Sequence, residues 1–156
     1  MTKNINAVQF SSNHSVSGQS LLDLTLSYNN NVIAQTRGNL TVGNEVLVFA
    51  RNKGVGLHVY AAIIIDKLAV PSPVWQQNGG NLWAHNWSIT PVSDVIYLTE
   101  PAVRNICGPD MTFQMCNSSF MGSGKSWDKV GSPRAKLYAY LKSISIRKSK
   151  KVIKKI

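Results

Sequence analysis

Apolar and polar positions divide the chain into short β-type runs followed by one helical run. Residues 5–10, Ile-Asn-Ala-Val-Gln-Phe, predict a first strand, which passes into the polar loop Ser11-Ser12-Asn13-His14-Ser15. Leu22, Leu24, Leu26 and Tyr28 alternate with polar residues as in a strand, whereas Leu21, Leu22 and Leu26 suit one face of a helix. Both readings stand until Asn29-Asn30-Asn31 ends the stretch. The sharpest unit is Glu45-Val-Leu-Val-Phe-Ala-Arg51, a glycine-bearing turn at residues 52–56, and Leu57-His-Val-Tyr-Ala-Ala-Ile-Ile-Ile65. It predicts a β-hairpin whose two strands are apolar enough to be mostly buried.

Pro71, Pro73 and Gln76-Gln-Asn-Gly-Gly80 make residues 70–81 an irregular loop, after which residues 82–89 resume β character up to Pro91 and residues 95–98 form a short strand. Residues 105–132, rich in Asn, Ser and Gly, read as a long ordered loop with one strand-like patch at 111–115. Ser132-Pro133 then supplies an N-cap and a first-turn proline for a terminal helix, with Ala135, Leu137, Leu141 and Ile144 at the spacing of one face. Beyond Ile146 only Val152, Ile153 and Ile156 are apolar among the lysines, so the last ten residues are either an amphipathic extension or a disordered tail.

At 156 residues, the length suits one domain over residues 1–146 with a basic tail at 147–156. No stretch reaches the roughly 18–20 apolar residues of a membrane span, and the N-terminal stretch lacks the apolar segment of a secretion signal. The expected setting is therefore the cytoplasm, off the membrane. Cys107 and Cys116, the two cysteines, stand apart from any histidine and form no CxxC pair, which leaves buried thiols as the simplest reading.

Charge is distributed unevenly. Residues 1–120 carry six basic and six acidic side chains, whereas residues 121–156 carry eleven lysines and arginines against Asp128 alone, which accounts for the whole net charge of +10. A segregated basic segment draws in phosphates over about a Debye length and gains affinity by counterion release, so nucleic acid is the first partner implied. The phosphate-binding candidates are Arg51, Lys53, Lys125, Lys129, Arg134, Arg147, Lys148, Lys150 and Lys151.

Catalytic chemistry finds little footing. Gly122-Ser-Gly-Lys-Ser126 resembles the end of a phosphate-binding P-loop, but Ser119 stands where the pattern needs its first glycine, and no strand-loop-helix context surrounds it. His14, His58 and His85 lie far apart with no carboxylate or cysteine at ligand spacing, and the seven acidic residues are scattered. No catalytic residue, metal or cofactor is predicted. The tryptophans are more informative, because Trp75, Trp83 and Trp87 fall within thirteen residues in and after a Gly/Asn-rich loop. Trp75, between Pro73 and Gln76, is on no obvious buried strand, and an exposed indole face is what stacking on an unpaired base requires.

The order of these features resembles the PUA-like superfamily, its EVE and YTH branches most closely. The likeness runs over roughly residues 5–100. It rests on a first strand entering a Ser/Asn loop, Val42-Gly-Asn-Glu-Val-Leu-Val-Phe-Ala50, its hairpin partner, a tryptophan-bearing loop, the strand at 82–89 with Trp87, and Pro91-Val-Ser-Asp-Val-Ile-Tyr-Leu98. The resemblance implies an α+β fold: a small, strongly curved mixed β-barrel with a few peripheral helices and, in this chain, a C-terminal helix. It also implies a base pocket, with Ser11, Ser12 and Asn13 at its mouth, Trp75 or Trp83 as a cage wall and Trp87 packed beneath. The function expected is a nucleic-acid-binding module, reading a base or modified base in that pocket while the basic segment holds phosphates. The alternative is a small protein-interaction factor, such as a viral or mobile-element antagonist, that presents the same basic surface to an acidic host protein.

Overall fold

Two strands with mostly buried middles form the centre of the molecule. In the computed structural model, which describes residues 5–11, 15–16, 19–35, 40–52, 56–70, 72–75, 84–107 and 133–145, the hairpin predicted from its apolar runs is present. Strand β5 (Glu45–Asn52) pairs antiparallel with β6 (Gly56–Lys67), from Glu45 opposite Ile63 to Asn52 opposite Gly56. Val46, Leu47, Val48, Phe49 and Ala50 are all fully buried. A strand buried on both sides needs cover on both sides, and the alternation of side chains sorts that cover into two cores. Leu47, Phe49, Leu57, Val59 and Ala61 pack with the helices α2 (Glu100–Cys107) and α3 (Pro133–Ile144) through Val103, Leu137, Tyr138 and Leu141. Val46, Val48, Tyr60, Ala62 and Ile64 pack on the other face with Leu21 and Leu24 of α1 (Leu21–Leu26), and with Trp75 and Trp87.

Four more strands complete the sheet. Strand β1 (Asn6–Ser11) lies parallel to β5, with Asn6 opposite Val46. On the other edge of β6, β7 (His85–Pro91) and β8 (Ile96–Thr99) pair antiparallel with it one after the other, and β4 (Val32–Gln35) pairs antiparallel with β7. The hydrogen-bonded order is β1-β5-β6-β7-β4, with β8 beside β6. A short antiparallel pair, β2 (Ser15–Val16) and β3 (Gln19–Ser20), stands apart from this sheet. In β6 a bulge between Ile64 and Asp66 inserts Ile65 as an extra residue, which bends the strand and increases its twist. The sheet curls until β1 and β4 come into contact, and among the described residues these two edges do not pair. The result is a half-barrel in an α+β fold, where the sequence predicts a barrel.

The break between β7 and β8 is closed by a side chain. Val92 N donates to Ala61 O at 2.8 Å, and Ala61 N donates to the buried Ser93 Oγ at 2.7 Å, so a hydroxyl stands in for a missing strand carbonyl. Asp94 N donates to Ser145 Oγ at 2.8 Å, which ties the end of α3 to the same break.

Several boundaries differ from the sequence expectation. The ambiguous stretch at 21–28 is helical over Leu21–Leu26, because Ser20 Oγ accepts from Asp23 N at 2.9 Å as an N-cap while Leu21 and Leu24 share the buried face. Strand β7 begins at His85, inside the predicted 82–89, and residues 105–107 belong to α2 where a loop is predicted. The terminal helix begins at Pro133 as predicted, but its buried side is Leu137, Tyr138 and Leu141, while Ile144 is exposed. The predicted strand patch at 111–115 and most of the long loop lie outside the described residues.

Gly56 opens β6 where space is tightest. A Cβ there meets Tyr97 Cζ at 2.6 Å and the carbonyl oxygen of Leu98 at 2.8 Å. The exposed tyrosine can turn aside, but the strand carbonyl cannot move without disturbing the β6–β8 ladder. Gly56→Ala is expected to destabilise by about 1–3 kcal/mol, read as a lower midpoint in urea unfolding with an unchanged slope.

Candidate functional site

Of the residues singled out for a base pocket, the structure buries two. Trp75, in a short 3₁₀ turn (Pro73–Trp75), is 1% exposed, and its indole Nε1 donates to Val32 O at 2.9 Å. This corrects the reading of Trp75 as an open stacking surface. The ring belongs to the apolar core with Leu21, Ile33 and Trp87, and its N–H is spent on the backbone at the start of β4. Trp87 is fully buried on the same side of the sheet. Trp83, Ser12 and Asn13 lie outside the described residues, and Ser11 is the last residue of β1. Among the phosphate candidates, Arg51 stands in β5 opposite Leu57, and Arg134 in the first turn of α3. Lys53, Lys125, Lys129, Arg147, Lys148, Lys150 and Lys151 lie outside the described residues.

A polar corner that the sequence reading did not single out lies at the far end of the half-barrel. The register places Gln35 opposite His85, Ile33 opposite Trp87 and Lys67 opposite Trp87, so Gln35, His85, Trp87 and Lys67 share one face. The His85 and Trp87 rings are 6.3 Å apart and tilted by 31°, and Lys67 Nζ lies 5.6 Å from the centre of the Trp87 ring. Lys67 is exposed and His85 half-buried, so the corner opens to solvent on one side. Two of its buried atoms, Trp87 Nε1 and Gln35 Oε1, find no hydrogen-bond partner in the protein. His58, by contrast, belongs to the other end of β6 and stacks against Tyr97.

A second unusual feature precedes β4. Tyr28, Asn29, Asn30 and Asn31 are four consecutive residues at φ values between 53° and 64°. Left-handed backbone costs an ordinary L-residue roughly 1–2 kcal/mol, and asparagine tolerates it best, which gives the three-asparagine run a physical purpose. The turn is held from inside. Tyr60 Oη donates to the buried Asn29 Oδ1 at 2.5 Å, and the Tyr28 ring meets Tyr60 edge-on at 5.2 Å. Burial, reinforced by the neighbouring Tyr28 phenol, raises the Tyr60 hydroxyl well above its ordinary pKa and keeps it a donor. Tyr60→Phe strips Asn29 Oδ1 of its partner in a place water does not reach. It is expected to cost about 1–3 kcal/mol in thermal unfolding.

The described residues bring no three of His, Cys, Asp and Glu together as a metal-binding group. Cys107 is a buried thiol whose pKa is pushed up to about 12 by its burial, against the opposing pull of Lys136, so little thiolate is present near neutral pH. No described helix is long and apolar enough to cross a membrane.

These features define a small α+β protein built on a half-barrel sheet, with helices against both faces and a polar corner at one end. No family model matches this chain, and no curated protein matches it either.

Proposed function

We propose that this chain is a nucleic-acid-binding module without catalytic chemistry of its own, in which a neutral folded body carries a separable basic segment. The observation that carries this reading is the segregation of charge: six basic residues balance six acidic ones before residue 121, and the entire +10 follows it. Within that segment, the buried face of α3 and the Ser145 hydrogen bond with Asp94 N hold residues 133–145 against the sheet. Phosphate contacts of this type supply affinity for any sequence, and a pocket in the body supplies selectivity. The PUA-like resemblance of the sequence belongs to this proposal, and a curled α+β sheet with peripheral helices is compatible with it.

Anisotropy titrations of labelled DNA and RNA 20-mers at 50 and 200 mM salt test the reading. Binding is expected to weaken by orders of magnitude across that range. Absent binding, or affinity indifferent to salt, overturns it.

One observation favours a second reading, an acidic protein partner. Ala102, Ile106, Ala139 and Tyr140 line an open groove of about 800 Å³ between α2 and α3, bordered by Lys136. Tyr140 and Ile144 are exposed on that side of α3. A partner retained after nuclease treatment supports this reading, and one lost with the nucleic acid supports the first.

A further inference from the structure

We propose that the groove between α2 and α3 is the docking site for an acidic amphipathic helix of a partner protein. Both helices pack on the same face of the sheet, where α2 contributes Val103 and Cys107 and α3 contributes Leu137 and Leu141. The side chains they leave at the outer surface are also largely apolar. Ala102 and Ile106, one turn apart on α2, line an open groove of about 800 Å³ together with Ala139 and Tyr140 of α3. Two of these four are alanines, whose short side chains leave space that an incoming side chain can take. Tyr140 and Ile144, again one turn apart and both exposed, continue the apolar stripe along α3.

The lining selects the occupant. Lys136 is the charged residue of the groove, and no carboxylate lines it. Helix α3 carries Arg134, Lys136 and Lys142 with no acidic residue. The Lys142 ammonium lies 5.6 Å from the ring of the buried Tyr138, which leaves the exposed Lys136 to meet an anion at the groove. A second copy of this chain fits poorly, because a two-fold contact presents the same patch from both sides and sets one basic α3 against the other. An apolar lining with a cation at its rim instead complements apolar side chains flanked by carboxylates. Helices form both walls, so they offer no strand edge to which an extended peptide could add. A helical segment satisfies its own backbone and presents apolar anchors at i, i+3, i+4 and i+7, the spacing at which Lys136, Ala139, Tyr140 and Ser143 line the groove. This inference rests on the acidic-partner reading and names the structure that such a partner presents.

The experiment uses the full chain, cleared of nucleic acid by nuclease and high salt. The probe is a synthetic peptide of roughly 14 residues, long enough at 1.5 Å per residue to run the length of α3, with leucines on one helical face and glutamates on the other. A scrambled peptide of the same composition and polyglutamate are the controls, and anisotropy and ¹H–¹⁵N spectra are the readouts. The amides of Ala102, Ile106, Ala139 and Tyr140 are expected to shift with the amphipathic peptide. Scrambling the peptide, Ala139→Gln, which fills the groove without changing charge, and Lys136→Gln, which removes the cation, are each expected to weaken binding about tenfold or more. Positions 136 and 139 are exposed, so both variants are expected to keep the fold, which circular dichroism checks. Equal binding of the amphipathic and scrambled peptides, binding indifferent to Ala139→Gln, or no groove shift with the amphipathic peptide overturns the proposal. Groove shifts produced by a single-stranded DNA 20-mer and not by the peptide overturn it in favour of nucleic acid, and shifts that follow protein concentration alone overturn it in favour of a second copy. Binding of polyglutamate or the scrambled peptide without groove shifts sinks this inference and leaves the acidic-partner reading standing, whereas no binding of any acidic peptide sinks both.

Discussion

Deleting residues 147–156 is expected to lower affinity for duplex DNA by at least a hundredfold near 100 mM salt and to flatten the salt dependence. The segment holds Arg147, Lys148, Lys150, Lys151, Lys154 and Lys155 and no acidic residue, so its removal takes six positive charges and leaves a net charge of +4. Each phosphate neutralised on duplex DNA contributes about 0.9 to the slope of log affinity against log salt, which makes the slope shallower by up to about 5 if all six engage. The folded body is expected to be unaffected, because α3 ends at Ile144 and its described contacts with the sheet, with that of Ser145, precede the deletion. Circular dichroism and thermal unfolding of the truncated chain check this, and anisotropy at several salt concentrations supplies the slope. Unchanged affinity and slope would show that the basic tail is a bystander.

Trp75→Ala is expected to reduce stability by about 3–5 kcal/mol. The side chain is among the largest fully buried ones, it packs in the core shared by Leu21, Ile33 and Trp87, and its N–H is donated to Val32 O. Removing the ring opens a cavity between the 3₁₀ turn, α1 and β4, and it strips Val32 O of that donor. For a chain of this size the loss corresponds to a fall in melting temperature of roughly 6–20 °C. Trp75→Phe keeps much of the volume and should recover part of the loss. A melting temperature unchanged by Trp75→Ala would return the residue to the surface role its loop position suggests.

Trp75 also shows where sequence reading stops. Its neighbours Pro73 and Gln76 mark a loop, and loops usually lie at the surface. Burial of this one comes from a 3₁₀ turn that folds the indole back onto β4, a contact between positions 43 residues apart. Strand β4 escaped notice for a related reason. Val32-Ile-Ala-Gln35 is too short to show a period, and it exists as a strand only because β7 offers a ladder to it. The hairpin was legible because both of its strands are long and apolar and flank a glycine-bearing turn. The helix at Pro133 was legible because proline at its first turn and the leucines after it are local signals. The polar corner left no trace in sequence, since Gln35, Lys67, His85 and Trp87 follow no motif and meet only through pairing register.

The sequence by itself determined the central hairpin, the start of the terminal helix and the separation of a neutral body from a basic segment. Each depends on neighbouring residues or on a count along the chain. Tertiary structure alone decided that the sheet curls into a half-barrel, that β1 joins it parallel to β5, and that Trp75 and Trp87 face inward. It also decided that two buried polar atoms, one on Trp87 and one on Gln35, share a face without protein partners. Those outcomes depend on which distant strands pair and in what register. A shift of one residue in β7 would turn Trp87 and His85 to the opposite face and remove the corner altogether.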